Sequence, residues 1–208
     1  MQSRLICHAI GLEPTTEALV REVVLRWGFQ FARHDRIEEF ADSADIARAG
    51  CVLARVEEPS SVLKTLDSAG SPLTTIVVLD RADTRRCVSA MRLGAADILE
   101  LPADMVLLPS AVENAFALSL ERHHRLSETT AAQRRLAQLT DGEREVLNLM
   151  LRGKVNKNIA SRLGIALRTV EARRKRVFTK MGTRSLAEIA AVLHSSGLLA
   201  ATSLVAVN

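Results

Sequence analysis

The chain has 208 residues, 48% of them hydrophobic, with 28 Lys+Arg against 24 Asp+Glu, which is length for two domains and apolar material for real cores. No run approaches the ~18 uninterrupted apolar residues that span a bilayer, and Met1-Gln-Ser-Arg4 leads into an apolar segment without the layout of an export signal. A soluble cytoplasmic protein without membrane contact is therefore expected. Three scattered cysteines, Cys7, Cys51 and Cys87, indicate neither a disulfide framework nor a zinc cluster and read as buried free thiols. No metal, no cofactor and no catalytic constellation is expected. The charge is unevenly divided: residues 1–130 hold 14 Lys+Arg against 19 Asp+Glu, giving −5, and residues 131–208 hold 14 against 5, giving +9. A basic C-terminal third points to nucleic acid as its partner.

From the N-terminus, short apolar runs alternate with amphipathic segments. Leu5–Ile10 reads as a strand, and Thr16–Trp27 as a helix with Leu19, Val20, Val23, Val24 and Trp27 along one side, ended by Gly28. Phe29–Arg33 reads as a short strand, Arg36–Ala41 as a short helix, Cys51–Val56 as a buried strand and Ser60–Ala69 as a helix. Thr75–Leu79 is a strand, Thr84–Leu93 a helix closed by Gly94, and Asp97–Leu101 a last strand before Pro102. Five strands alternating with helices predict an α/β domain, a parallel doubly wound sheet covered on both faces.

This order, together with the run Ala90-Met-Arg-Leu-Gly-Ala-Ala-Asp-Ile-Leu-Glu100 and Pro102, resembles the receiver domain of two-component response regulators over most of residues 4–125. The resemblance implies acidic residues after the first strand to hold Mg²⁺, a phosphoacceptor Asp ending the third strand, a Thr or Ser ending the fourth and a Lys ending the fifth. This sequence departs at each position. The acidic-pair positions fall near Ile10, Gly11 and Leu12, with Glu13 already in the loop. Arg55, or else Ala54, stands at the phosphoacceptor position, Leu79 or Asp80 at the hydroxyl position, and Leu101 at the lysine position. Glu57, Glu58, Asp80 and Asp83 still bring carboxylates to the carboxyl edge of the sheet, where open α/β folds bind ligands. Arg55 is expected either to pair with Asp80 or Glu57 and hold the domain in one conformation, or to snorkel to the surface from the strand end. A degenerate, flavodoxin-like receiver over 1–125 is expected.

Pro109–Leu126 has helical spacing at Val112, Phe116 and Leu120. Ser127–Thr130 breaks the apolar pattern, whereas Ala131–Gln138 is strongly helix-forming, so 126–138 reads as a semi-rigid helical linker. His123 and His124 are adjacent, point about 100° apart on a helix and cannot chelate one metal well.

In residues 139–208, Thr140 reads as an N-cap with Glu143 completing a capping box. Val146, Leu147, Met150 and Leu151 form the apolar side of that helix, and Gly153 ends it. Asn156–Leu163, stopped by Gly164, is a second helix, and Ile165 plugs the turn. Thr169 begins a third helix as N-cap or first-turn residue, with Val170, Val177 and Met181 as its buried stripe. Around that stripe stand Arg168, Arg173, Arg174, Lys175, Arg176 and Lys180, opposed only by Glu171, the composition of a helix that faces phosphates and groove edges.

The segments Leu139–Leu147, Asn156–Ala160, Thr169–Glu171, Lys180–Gly182 and Ser185–Glu188 resemble the four-helix helix-turn-helix output domain of the LuxR type, and the whole chain resembles a response regulator of the LuxR/FixJ (NarL-like) family. That resemblance implies that Glu171, Ala172 and Lys175 point toward bases in the major groove of double-stranded DNA, while Thr169, Arg173 and Arg176 serve its backbone; Arg168 is expected among the DNA-binding residues, and Lys157, at the positive end of its helix dipole, can reach a phosphate. Lys175 is suited to guanine O6 and N7 and Glu171 to a cytosine amino group; alternatively Glu171 pairs with Lys175 at i, i+4. The fourth helix, Ser185–Leu193, with Leu186, Ile189, Ala190 and Leu193 on one side, is implied to mediate dimerisation over inverted-repeat half-sites. The tail Leu198–Val207 has no derivable role. A phosphorylation-independent DNA-binding regulator is expected, the alternative being an N-terminal domain that senses a small molecule or docks a protein effector.

Overall fold

A computed structural model describes residues 5–42, 44–55, 59–81 and 83–199. The chain divides between His124 and Arg125 into two compact units.

The first unit is a five-stranded, all-parallel sheet. Its strands are β1 (Ile6–Ile10), β2 (Gln30–His34), β3 (Gly50–Arg55), β4 (Thr74–Leu79) and β5 (Asp97–Glu100), ordered β2-β1-β3-β4-β5. The helices between them are α1 (Pro14–Arg26), α2 (Ile37–Ala41), α3 (Pro59–Ser68) and α4 (Thr84–Arg92), and the long helix α5 (Leu108–Ala137) follows the sheet. The three inner strands are buried almost throughout, whereas the edge strands β2 and β5 are mostly half-exposed. That is why the inner strands read as unbroken apolar runs and the edges read weakly.

Alternate strand residues enter two cores. Cys7, Ala9, Cys51, Leu53, Ile76 and Val78 pack against Val20 and Val24 of α1 and Val112, Ala115 and Phe116 of α5. On the opposite face Ile10, Val52 and Ala54 meet Phe40 of α2 and Val62 and Leu66 of α3, and Val77 and Leu79 meet Leu63 and Ala90. Cys7 and Cys51 face each other across β1 and β3 as buried thiols, where burial pushes the Cys51 thiol up. Also buried is His8, whose Nδ1 lies 3.0 Å from His34 Nε2 beside the Phe40 ring.

Three expectations are adjusted. β2 begins one residue later than Phe29, because the Phe29 N–H closes α1 on Val24 O at 3.2 Å and the strand hydrogen bonding starts at Gln30. Ala44–Ala47 forms a 3₁₀ turn that carried no sequence signal. Helix α5 runs unbroken through Ser127–Thr130: these residues are mainly exposed, so they interrupt an apolar stripe but not the backbone hydrogen bonding. His123 and His124 are exposed on the same helix.

The second unit continues from α5 into α6 (Asp141–Leu151), α7 (Asn156–Leu163), α8 (Leu167–Met181) and α9 (Leu186–Ser195). Its core joins Leu139, Leu147, Val177, Met181, Ile189 and Leu193, extended by Val146, Met150, Ile159 and Val170. Gly164 and Gly182 close α7 and α8 in the left-handed conformation, at φ 63° and 66°, the backbone state that glycine enters without steric cost. Leu198 and Leu199 lie against this core; the rest of the apolar tail, like Glu57 and Glu58, lies outside the described residues. Among the described residues no helix is long and apolar enough to cross a membrane.

Candidate functional site: a basic helix and a neutralised sheet edge

Helix α8 turns Val170, Val177 and Met181 inward and leaves Arg168, Glu171, Ala172, Lys175 and Arg176 exposed, with Thr169 half-buried in its first turn. Lys157 is exposed in the first turn of α7. That turn has no side-chain cap, so its backbone N–H groups and dipole face outward with the lysine. No ion pair is present for Lys157, Arg168, Lys175, Arg176 or Glu171 among the described residues. The alternative Glu171–Lys175 pair is thus not formed, and the carboxylate is available to an outside donor.

Two cations expected on the exposed face turn inward instead. Lys180 Nζ donates to Glu143 Oε2 at 2.6 Å and to Gln138 O at 3.0 Å, with the Glu143 side chain only 3% exposed. The capping box supplies the rest of that carboxylate's environment. Thr140 N donates to Glu143 Oε2 at 3.0 Å, and Glu143 N donates to Thr140 Oγ1 at 3.4 Å. Lys180, first, and then the Thr140 amide hold the Glu143 carboxyl below the usual carboxylate range, against the opposing effect of burial. Arg173 reaches Gly142 O at 3.4 Å through Nη1, and its guanidinium fills the space that a Cβ at position 142 would need, 2.6 Å away. It is half-buried, not a freely extended phosphate contact.

The sequence grouped Arg174 with the exposed cations of this helix without giving it a role of its own, and gave Lys154 none. Arg174 lies over Phe178, 5.9 Å from the ring centroid, and shares a shallow surface concavity with Lys154, Asn156, Lys157 and Glu171. Arg174 follows Glu171 by three residues, a spacing that places both on one face. Lys154 was hidden because it precedes its helix.

The stripe expected to mediate dimerisation, Leu186, Ile189, Ala190 and Leu193, is largely turned into the unit. Ile189 and Leu193 are fully buried inside the unit, where they complete the core with Leu147, Val177 and Met181, and Leu186 packs on the core. Ala190 is half-buried, and the surface left open on α9 is Ala187, Glu188, Ala191, His194 and Ser195.

At the carboxyl edge of the sheet, Arg55 ends β3. Its Nε donates to Asp80 Oδ1 at 2.7 Å and its Nη2 to Asp80 Oδ2 at 2.8 Å, while Nη2 also lies 3.0 Å from Glu13 Oε1. One guanidinium therefore ties the end of β3 to the residue after β4 and to the N-cap of α1. Hydrogen bonding to Arg55 lowers the Asp80 carboxyl, assisted by Arg86. At the end of β1, Gly11 has φ +65°, and a Cβ there would stand 2.6 Å from Arg55 O. Leu101 is buried.

Residues 137–193 match the family described as bacterial regulatory proteins, luxR family. Over 202 residues the chain is 34% identical to the transcriptional regulatory protein FixJ of Azorhizobium caulinodans, covering 95% of this chain and 96% of that protein. It belongs to the FixJ-type transcriptional response regulators. FixJ of Bradyrhizobium diazoefficiens is 32% identical, over 83% of this chain and 86% of that one. Among solved structures, response regulator StyR superposes with a TM-score of 0.76 at 26% identity, over 92% of this chain and 99% of that chain. The matched residues take in α6, α7, α8 and most of α9, so the second unit is the LuxR-type DNA-binding domain, and the first has the receiver-like fold.

Proposed function

We propose that this FixJ-type regulator reads DNA sequence without phosphorylation of an aspartate and carries out no reaction of its own. The observation that carries this reading is the Arg55–Asp80–Glu13 cluster. A cation stands where the family's receivers are expected to place the phosphoacceptor, and among the described residues the Asp80 and Glu13 carboxylates are turned to it. A working receiver would need Mg²⁺, and these residues do not fit that ion. Gly11 has no room for a side chain, and both Asp80 oxygens and Glu13 Oε1 are already engaged by Arg55, whose charge would repel a divalent cation.

On the DNA side, Glu171, Ala172 and Lys175 face base edges in the major groove. Lys157, Arg168, Thr169 and Arg176 hold the backbone, and Arg173 joins them only by leaving Gly142. The protein acts in the cytoplasm as a homodimer on inverted-repeat half-sites, using the open surface of α9 around Ala190 and Ala191.

Selection from a random DNA library with the full-length, unphosphorylated protein tests this. An enriched inverted repeat bound without phosphodonor is expected; enrichment only after acetyl phosphate treatment would overturn it. Within the enriched site, Lys175→Ala should change base preference, and Lys157→Ala should weaken all sequences alike with a shallower salt dependence. Recovery of selectivity only on adding a cell extract would instead support an effector acting at the first unit.

A further inference from the structure

Helix α8 ends at Met181, and the left-handed Gly182 closes it by sending its own N–H to Thr179 O at 3.2 Å and the Thr183 N–H to Phe178 O at 3.1 Å. The Met181 carbonyl takes no part in that closure, and it lies at the negative end of the helix dipole. It is met from the connecting helix: Arg135 Nη1 donates to Met181 O at 3.2 Å, and the same guanidinium lies 3.6 Å from where a Cβ on Gly182 would stand. The neighbouring residues of the connection are tied to the same place. Lys180 donates to Gln138 O, Arg144 Nη2 donates to Leu136 O at 3.3 Å, and Leu136 packs against the core that holds Val177 and Met181.

We infer that Arg135 is a positioning residue for DNA recognition: it fixes the C-terminal end of α8, and thereby the angle at which Arg168, Glu171 and Lys175 are presented, without touching DNA itself. The inference rests on α8 being the helix that reads bases. Its leverage is geometric. A 15-residue helix is about 22 Å long, so a tilt of roughly 5° about its last turn moves its first turn by about 2 Å. That is more than the ~0.5 Å tolerance of a preorganised site. Residues on the side of α8 that meets the core cannot supply this control separately, because Val177 and Met181 are fully buried and changing them alters the core itself. Arg135 acts on the helix end from outside the core.

The test uses the full-length chain and the duplex enriched by the wild-type protein. Arg135→Ala is expected to weaken binding to that duplex about two- to tenfold, the loss of one hydrogen bond with a charged donor. Binding to random duplex and the salt slope should be unchanged, and the amides of Gly182 and Thr183 should exchange faster. Arg135→Lys, which keeps a cation at the carbonyl end, should recover most of the loss. Leu136→Ala serves as the stability control, since it loosens the core while leaving Arg135 in place. Four outcomes would overturn the inference: unchanged affinity in Arg135→Ala, an equal loss on all sequences with a salt slope shallower by about one, which would make Arg135 a phosphate contact, no rescue by lysine, or an equal loss of discrimination in Leu136→Ala. Failure of the wild-type chain to enrich any sequence would be a different result, removing the DNA-reading assignment itself and this inference with it.

Discussion

A cation's sequence context says which face it stands on but not which partner it meets, and α8 shows how far that goes. Arg173 and Lys180 lie four residues before and three residues after the buried Val177, so their spacing already put them beside the inward stripe. Composition grouped them with the groove-facing cations because nothing in the sequence revealed that the capping box of α6 would bring Glu143 to that side. Removing the lysine leaves a buried carboxylate supported, among the described residues, by the Thr140 amide and hydroxyl. Lys180→Ala should therefore cost about 1–3 kcal/mol in urea unfolding, and Lys180→Arg should cost less. The pH dependence has a definite sign. The folded-state Glu143 carboxyl is lowered, so its contribution is present above the ordinary carboxylate range and is lost as pH falls through the lowered value. In Lys180→Ala the loss of stability on acidification from this group should shrink or disappear, and acid titration of thermal unfolding in the two proteins checks it.

Glu171 makes the opposite case, being more exposed to an outside partner than its i+4 lysine suggested. An anion facing DNA weakens non-specific binding and rewards a base that offers a donor. Glu171→Ala is expected to bind random DNA more tightly and to lose about 1–3 kcal/mol of discrimination at one base pair; unchanged discrimination across all positions of the enriched site would refute the base contact.

At the scale of elements, periodicity located all five strands and the four helices of the second unit, because a strand's alternation and a helix's stripe are recorded locally. The destination of a stripe is not. The apolar side of α9 has the same spacing whether it meets a second chain or its own domain, and burial of Ile189 and Leu193 decides for the latter. The consequences of substitution separate the two roles. Leu193→Ala should destabilise the DNA-binding unit by about 2–5 kcal/mol through a core cavity. Ala191→Glu, on the open side, should leave the melting temperature nearly unchanged while lowering the apparent cooperativity of binding to a two-half-site duplex. Sedimentation and calorimetry distinguish these, and a dimer that survives Ala191→Glu at full strength would place its contact elsewhere.

Taken as a whole molecule, the chain combines an acidic unit and a basic unit, and this division of charge by itself points to DNA as the partner of the basic one. The mode of control is less legible in the residues alone. The polar departures at Gly11, Arg55, Asp80 and Leu101 could be read singly, but whether they amounted to a loss or a replacement depended on the three-dimensional meeting of Arg55 with Asp80 and Glu13, residues 25 and 42 positions away in sequence. If that cluster replaces the phosphoryl signal, incubation with acetyl phosphate and Mg²⁺ should give no stable adduct of roughly +80 Da by intact mass, and the affinity for the enriched duplex should be the same before and after. Asp80→Ala, which removes the bidentate partner of Arg55, should then change DNA binding by the full-length protein although position 80 lies in the other unit. Equal affinity of full-length wild type and Asp80→Ala would mean that the ion pair only holds the sheet edge together, and a phosphoryl adduct abolished by Asp80→Ala would mean that the receiver chemistry survives on a displaced carboxylate.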